Sequence, residues 1–278
     1  MNLLDIAFIF NRAFFLTFTR KKIWLVFGLL AISGLLVVFF KALAMNAGEW
    51  VQLSLTFLPI FLCSGILLGM GIFLIRVYHH EVKKRPVKYR QIASQSWEMI
   101  IGASYFAVPI ILCYLILWLL LGVFVLLGEI PALGSFFSVV LSFAPFLINL
   151  GTLVLCLGSL LMLFFVAPII ALRGMESSLV FSLLIKRLKE DVFLNGLLLF
   201  VSLVPLFLVL FFLILSASLT GSLISEGQPS LQNVLTWFFI MLPFTAVLTP
   251  TVIFFFNFAA EAHVLIQKGV IHEQDEKK

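Results

Sequence analysis

Hydrophobic residues gather into six long stretches, approximately 23–45, 51–77, 99–127, 147–172, 192–219 and 234–260, almost free of charge. A helix needs about 20 mostly apolar residues to cross a hydrocarbon core of about 30 Å, since each residue adds about 1.5 Å. All six stretches reach that length. Backbone N–H and C=O groups in lipid must find partners inside the segment, which favours helices over open strands. No sustained period-two alternation bounded by turns points to a barrel. The pattern predicts an all-α, polytopic transmembrane bundle. Residues 1–260 read as a single integral membrane domain and 261–278 as a charged cytoplasmic tail.

Shorter amphipathic segments precede every second span. Residues 4–19 form an apolar helix with a narrow polar stripe of Asp5, Arg12 and Thr19, ended by Arg20-Lys21-Lys22. Too short to span comfortably, it is expected to lie at the inner interface. In 86–98, Tyr89, Ile92, Ala93 and Trp97 share a face. In 173–191, Val180, Phe181, Leu184, Ile185 and Leu188 oppose Ser178, Ser182, Lys186, Lys189 and Glu190. The plan of amphipathic segment, outward helix, short external loop and inward helix therefore occurs three times, giving three hairpins. The opening Met-Asn-Leu-Leu-Asp has no basic n-region and no cleavage site after an apolar core, so a secretory signal peptide is not expected.

The fourth stretch is too long. From Phe136 to Leu172 there is no charge, about 55 Å of helix at 1.5 Å per residue. It could be two spans broken near Asn149-Leu150-Gly151, or one span preceded by a re-entrant or interfacial helix. Charge placement favours the second. With six spans and the N-terminus inside, all of the eighteen Lys and Arg residues except Lys41 fall on the cytoplasmic side. A seventh span would carry everything from Arg173 onward to the wrong side. The expectation is a separate helix over 132–148 and a break at Asn149-Leu150-Gly151, with Pro145 contributing. Lys41, some 27 Å along its helix, is expected to snorkel to the outer interface. Tags at Glu49, Glu129 and Glu226 should be external, and tags at Lys84, Lys186 and Lys277 internal.

Composition adds one exclusion. The chain is 63% hydrophobic and 11% charged, whereas soluble domains are nearer half and a quarter. A soluble core of this length could not bury that excess, so a soluble enzyme, a disordered tail and a disulfide scaffold are poor readings. The formal charge of +5 is explained by cytoplasmic loops and needs no nucleic acid. Cys63, Cys113 and Cys156 lie in apolar runs and, being three, cannot form a complete set of bridges.

One set of residues carries a resemblance. Ala167-Pro168-Ile169-Ile170 ends a span and is followed by Glu176-Ser177-Ser178. The amphipathic run Phe181 to Leu188 comes next, and an apolar helix opens near Val192. With the basic link Val82–Arg90, this layout resembles the six-span bacterial YciC-like proteins and the membrane domain attached to some glycerophosphodiester phosphodiesterases. The resemblance covers most of the chain at the level of hydropathy and implies an inner-membrane architecture. No phosphodiesterase domain is present, so that activity does not carry over.

Candidate chemistry is sparse. His79, His80, His263 and His272 all fall in cytoplasmic segments, and His79-His80-Glu81 are consecutive, so they diverge around a helix and do not converge on one ion. No phosphate loop and no HExxH motif occur. The chain is therefore read as non-enzymatic, with no cofactor and no metal. Asn149, Asn257 and Glu261 are the candidate polar or cargo contacts. Asn257 and Glu261, four apart, could line a vestibule, although Glu261 is expected to be hydrated at the interface. Asn149 is expected to cap a helix or hydrogen-bond between helices. Prolines 59, 109, 145, 168, 205, 243 and 250 should kink helices, and Gly65 and Gly69 mark a close helix contact. Lys83, Lys84, Arg85, Lys88 and Arg90 form the densest basic cluster and are the candidate contacts to anionic headgroups. The expected partners are membrane lipids and a membrane or cytoplasmic protein. Two roles remain: a transport, permease-type or membrane-homeostasis component of a bacterial inner membrane with both termini cytoplasmic, or an assembly factor that docks a partner through cytoplasmic amphipathic helices.

Overall fold

The computed structural model of the chain describes residues 3–45, 47–128, 130–174, 180, 182–185, 192–220 and 231–276. Among the described residues all regular structure is helical. The order is α1 (Leu3–Phe15), α2 (Arg20–Ala44), α3 (Glu49–Val82), α4 (Tyr89–Ser104), α5 (Val108–Gly128), α6 (Pro131–Leu161), α7 (Ala167–Arg173), α8 (Val192–Leu219) and α9 (Leu231–Glu276). Six stretches are long and apolar enough to cross a membrane: Arg20–Ala44, Ser54–Val82, Tyr89–Phe124, Phe146–Arg173, Val192–Leu219 and Gln232–Ile266. The all-α, multi-pass reading holds. Glu129, Glu226, Lys186, Lys277 and most of 173–191 lie outside the described residues; of that segment's apolar face, Val180 is buried and Leu184 half-buried.

Two prolines account for the irregular turns. Pro109 lacks an N–H and crowds the carbonyl four residues back, that of Tyr105, where the 3-10 turn Tyr105–Ala107 joins α4 to α5. Pro168 does the same to Phe164, in the middle of the π turn Met162–Val166 that joins α6 to α7. Pro59, Pro205, Pro243 and Pro250 sit inside α3, α8 and α9 with no change of helix type.

The expected break at Asn149-Leu150-Gly151 is absent. Helix α6 runs through Ala144–Thr152 as one helix, so a separate helix over 132–148 is corrected. Thr152 Oγ1 donates to the Ile148 carbonyl at 2.8 Å, and Gly151 lets α5 approach, since a Cβ there would lie 3.0 Å from Leu117. The glycine serves helix packing.

Helix α3 is the centre, packed by α2, α4, α5, α6, α7 and α9. Small residues let it be so. A Cβ at Gly65 would lie 3.3 Å from Ala107 and one at Gly69 3.0 Å from Ile100, the close approach the Gly65/Gly69 spacing predicts. Gly71 faces the Phe256 ring of α9. Leu68, Ile72, Phe164, Ile169, Phe256 and Phe258 fill the space around it. Outer faces of α2, α5 and α8 expose Ile32, Ile116, Leu119, Phe200, Phe207 and Phe211, as lipid-facing helices do.

Helix α4 packs Tyr89, Ile92 and Ala93 of the expected face against α3, but not Trp97. Ile92 and Ser96 are buried while Trp97 is exposed. Arg76 of α3 is the reason, because its Nη1 donates to Ser96 Oγ at 2.8 Å and draws that position inward. Helix α1 lies along α9, burying Ile9 and Ala13. The Phe10 ring meets Phe254 edge-on at 5.0 Å, while Phe8, Phe14, Phe15 and Phe18 point away.

Candidate functional site

The starts of α2 and α4, the ends of α3 and α7, and the second half of α9 meet at one end of the bundle, with α1 folded over them. We call this the basic end. Lys22, Asn257 and Glu261 face inward there, while most of its cations stay exposed.

Glu261 is the hub. It is 4% exposed, which corrects the expectation of a hydrated carboxylate. Tyr78 Oη of α3 donates to its Oε1 at 2.5 Å, and Arg12 of α1 is ion-paired to its Oε2. Burial works against the Arg12 charge, but the hydrogen bond and attraction of Glu261 outweigh it, so the guanidinium pKa is pushed up and the group stays charged. A carboxylate this buried is tolerable only when paired and hydrogen-bonded.

One turn away, Asn257 is fully buried. Its Nδ2 donates to the Ala13 carbonyl at 3.3 Å and approaches Thr17 Oγ1 at 3.5 Å. Its Oδ1 has no partner among the described residues. On the other side of the cluster Lys22, also fully buried, donates to the Leu16 carbonyl at 3.0 Å and is ion-paired to Glu81. Its ammonium lies 5.6 Å from the centre of the Tyr78 ring. The contacts to Ala13 and Leu16 share one cause. The last carbonyls of a helix have no intrahelical donor, and at the C-terminal end of α1 side chains of α9 and α2 supply donors to Ala13 and Leu16.

Arg76 forms a second anchor. Its Nε donates to the Ala171 carbonyl at 3.1 Å, in the last turn of α7. Together with Ser96 this ties α3 to α4 and α7. A cavity of about 190 Å³ opens beside Glu261, lined also by Arg12, Tyr78, His79, Lys83 and Leu172. It is smaller than the few hundred Å³ typical of organic-ligand pockets.

The sequence-derived candidates divide. Asn257 and Glu261 come together with Arg12, Thr17 and Tyr78. Asn149 does not join them; it is exposed near the opposite end, on a crevice with Ser54, Tyr114 and Thr152 that holds at most one water. Lys83, Lys84 and Arg85 are exposed. Lys84 has φ 52°, and the Lys84 and Arg85 N–H groups return to the Glu81 and His80 carbonyls, each at 2.9 Å. This is a glycine-type helix ending built on a lysine, and it fixes the turn from α3 into α4. Lys88 and Arg90 border a groove against the start of α2. Among the described residues no group of three or more His, Cys, Asp or Glu is placed to hold a metal. Pattern-reading gives no site role to Arg12, Lys22, Tyr78, Arg76 or Glu81. One signal did exist: Glu81 and Glu261 are each a lone acid at the inner end of an apolar helix. No family model, curated protein or solved structure matches the chain.

Proposed function

We propose that the chain is a non-enzymatic structural or assembly component of a bacterial inner membrane, with its basic end and both described ends in the cytoplasm. It follows the plan of the YciC-like group. The supporting observation is how the buried polar groups are used. Arg12, Asn257, Glu261, Lys22 and Tyr78 fasten α1 to three spans, while Leu68, Ile72, Phe164 and Phe256 fill the middle of the bundle. A conduit needs charged or free polar groups along its length; here the buried ion pairs gather at one end, and the buried hydroxyls of Ser64, Thr245 and Thr249 along the spans bond back to carbonyls of their own helices. A permease-type role is the second reading, favoured by the cavity beside Glu261, because ionisable groups within membrane segments often line ion paths.

Thiol accessibility separates the two. Single cysteines at Leu68, Ile72, Phe164 and Phe256, in a protein with Cys63, Cys113 and Cys156 replaced, would be treated in proteoliposomes with a charged, water-soluble thiol reagent. All four should stay unreactive, while Glu49→Cys and Lys84→Cys react from opposite sides. Reaction at the interior positions from either side would overturn the assembly reading and establish a water path.

A further inference from the structure

The groove between the starts of α2 and α4 is open and has a volume of about 700 Å³. Its walls are Arg20, Lys21, Trp24 and Leu25 on one side and Val87, Lys88, Tyr89 and Arg90 on the other. Four cations face one another across it, and no carboxylate is among its lining residues. Neither helix carries an acidic residue in its first turn, and neither first turn is capped by a side chain, so both helix dipoles add to the positive potential. Glu81, close by at the end of α3, is already engaged by Lys22.

The apolar part of the wall is equally specific. Trp24 is 73% exposed, and Tyr89 is held against Phe73, ring centres 6.5 Å apart. Arg20 and Tyr89 each begin a stretch long and apolar enough to cross a membrane. The groove therefore sits where hydrocarbon gives way to headgroups, the depth at which Trp and Tyr concentrate. Trp24, Leu25 and Val87 are the apolar part of its lining.

We propose that this groove binds one anionic phospholipid, its phosphate among Arg20, Lys21, Lys88 and Arg90 and an acyl chain along Trp24 and Leu25. The inference rests on reading the chain as a membrane protein with this end at an interface, and is independent of whether the interior conducts. It differs from diffuse attraction to the basic linker, because half of its cations come from α2 and the Lys83-Lys84-Arg85 turn is not part of its lining. Simultaneous charge and apolar complementarity selects a lipid over a free phosphate compound.

The full chain in neutral detergent would be titrated with phosphatidylglycerol or phosphatidylcholine and the retained lipid counted by native mass spectrometry. One phosphatidylglycerol should be retained and phosphatidylcholine should not. The variant Arg20→Gln/Lys21→Gln/Lys88→Gln/Arg90→Gln should bind phosphatidylglycerol at least tenfold more weakly. The two half-groove doubles, Arg20→Gln/Lys21→Gln and Lys88→Gln/Arg90→Gln, should each weaken it severalfold and serve if the quadruple variant does not fold. Lys83→Gln/Lys84→Gln/Arg85→Gln should change binding less than threefold. Unchanged binding by the groove variants, or an equal loss in the linker variant, overturns the site. Displacement of the lipid by millimolar glycerol phosphate or inorganic phosphate overturns the lipid in favour of a soluble phosphate ligand. Because thiol accessibility of the interior is a separate readout, failure of one experiment leaves the other intact.

Discussion

Helix α2 carries a lysine near each end, and the two ends of the molecule accommodate them in opposite ways. Lys22, at the basic end, is fully buried, with a carboxylate from α3 and a backbone carbonyl from the segment after α1. Lys41, at the other end, has neither among the described residues, and its ammonium sits 3.9 Å from the centre of the Trp237 ring of α9. The difference lies in what the chain delivers to each end. Folding α1 back over the spans brings acceptors to one end, and an ammonium can then be sealed in. Where no such helix arrives, an aromatic face and the flexible stem of the lysine do the work near water.

That contrast can be tested by deletion at each end. Lys22→Ala should cost the most, about 3–5 kcal/mol, because it strands Glu81 in a buried setting. Unfolding in graded denaturing detergent would read the loss. The double variant Lys22→Met/Glu81→Met should recover most of it, since an apolar pair of similar size is often as stable as a buried ion pair. A double variant as damaged as the single would mean that the pair is not what seals this end.

Glu261→Gln should cost less, about 1–2 kcal/mol, because Arg12 keeps access to water and the amide can still accept from Tyr78. Its effect should be local. Hydrogen exchange of α1 amides should speed up while α3 stays protected; loss of protection in both would show that the cluster supports the whole bundle. At the opposite end Lys41→Ala should cost at most about 1 kcal/mol. Trp237→Leu added to it should cost little beyond the lost ring, and full additivity in the double-variant cycle would dissolve the cation–ring pair.

Much of the architecture was legible because lipid allows few solutions. Charge-free length together with the placement of Lys and Arg identified six candidate spans, and the Gly65/Gly69 spacing identified a close contact of α3. The error over Asn149-Leu150-Gly151 is instructive: asparagine and glycine disfavour a helix in isolation, but in a bundle Gly151 faces Leu117 and the helix continues. Proline was a mixed guide: Pro109 and Pro168 accompany a change of helix type, while Pro145, a ground for the expected break, lies inside the unbroken α6. The polar cluster was legible residue by residue and not as a set. Asn257 and Glu261 drew attention by their spacing, yet their partners Ala13 and Arg12 are remote in sequence, and no periodicity reports a pairing of that kind. Trp97 was misplaced because apolar pattern ranks tryptophan above serine, whereas the half-buried Arg76 donor ranks them the other way.

The contact between Arg12 and Glu261 spans 249 positions of sequence. A ribosome adding about 5–20 residues per second needs about 12–50 s to make that interval. Throughout it, α1 has already been made and its clasp has not. The helix must wait at the membrane surface, its aromatic side in lipid and its arginine in water, until the span bearing Glu261 is laid down. Closure of this end is thus tied to a late step of biogenesis. A nascent chain halted before Glu261 would hold the end of α1 through Lys22 but lack the ion pair to Arg12.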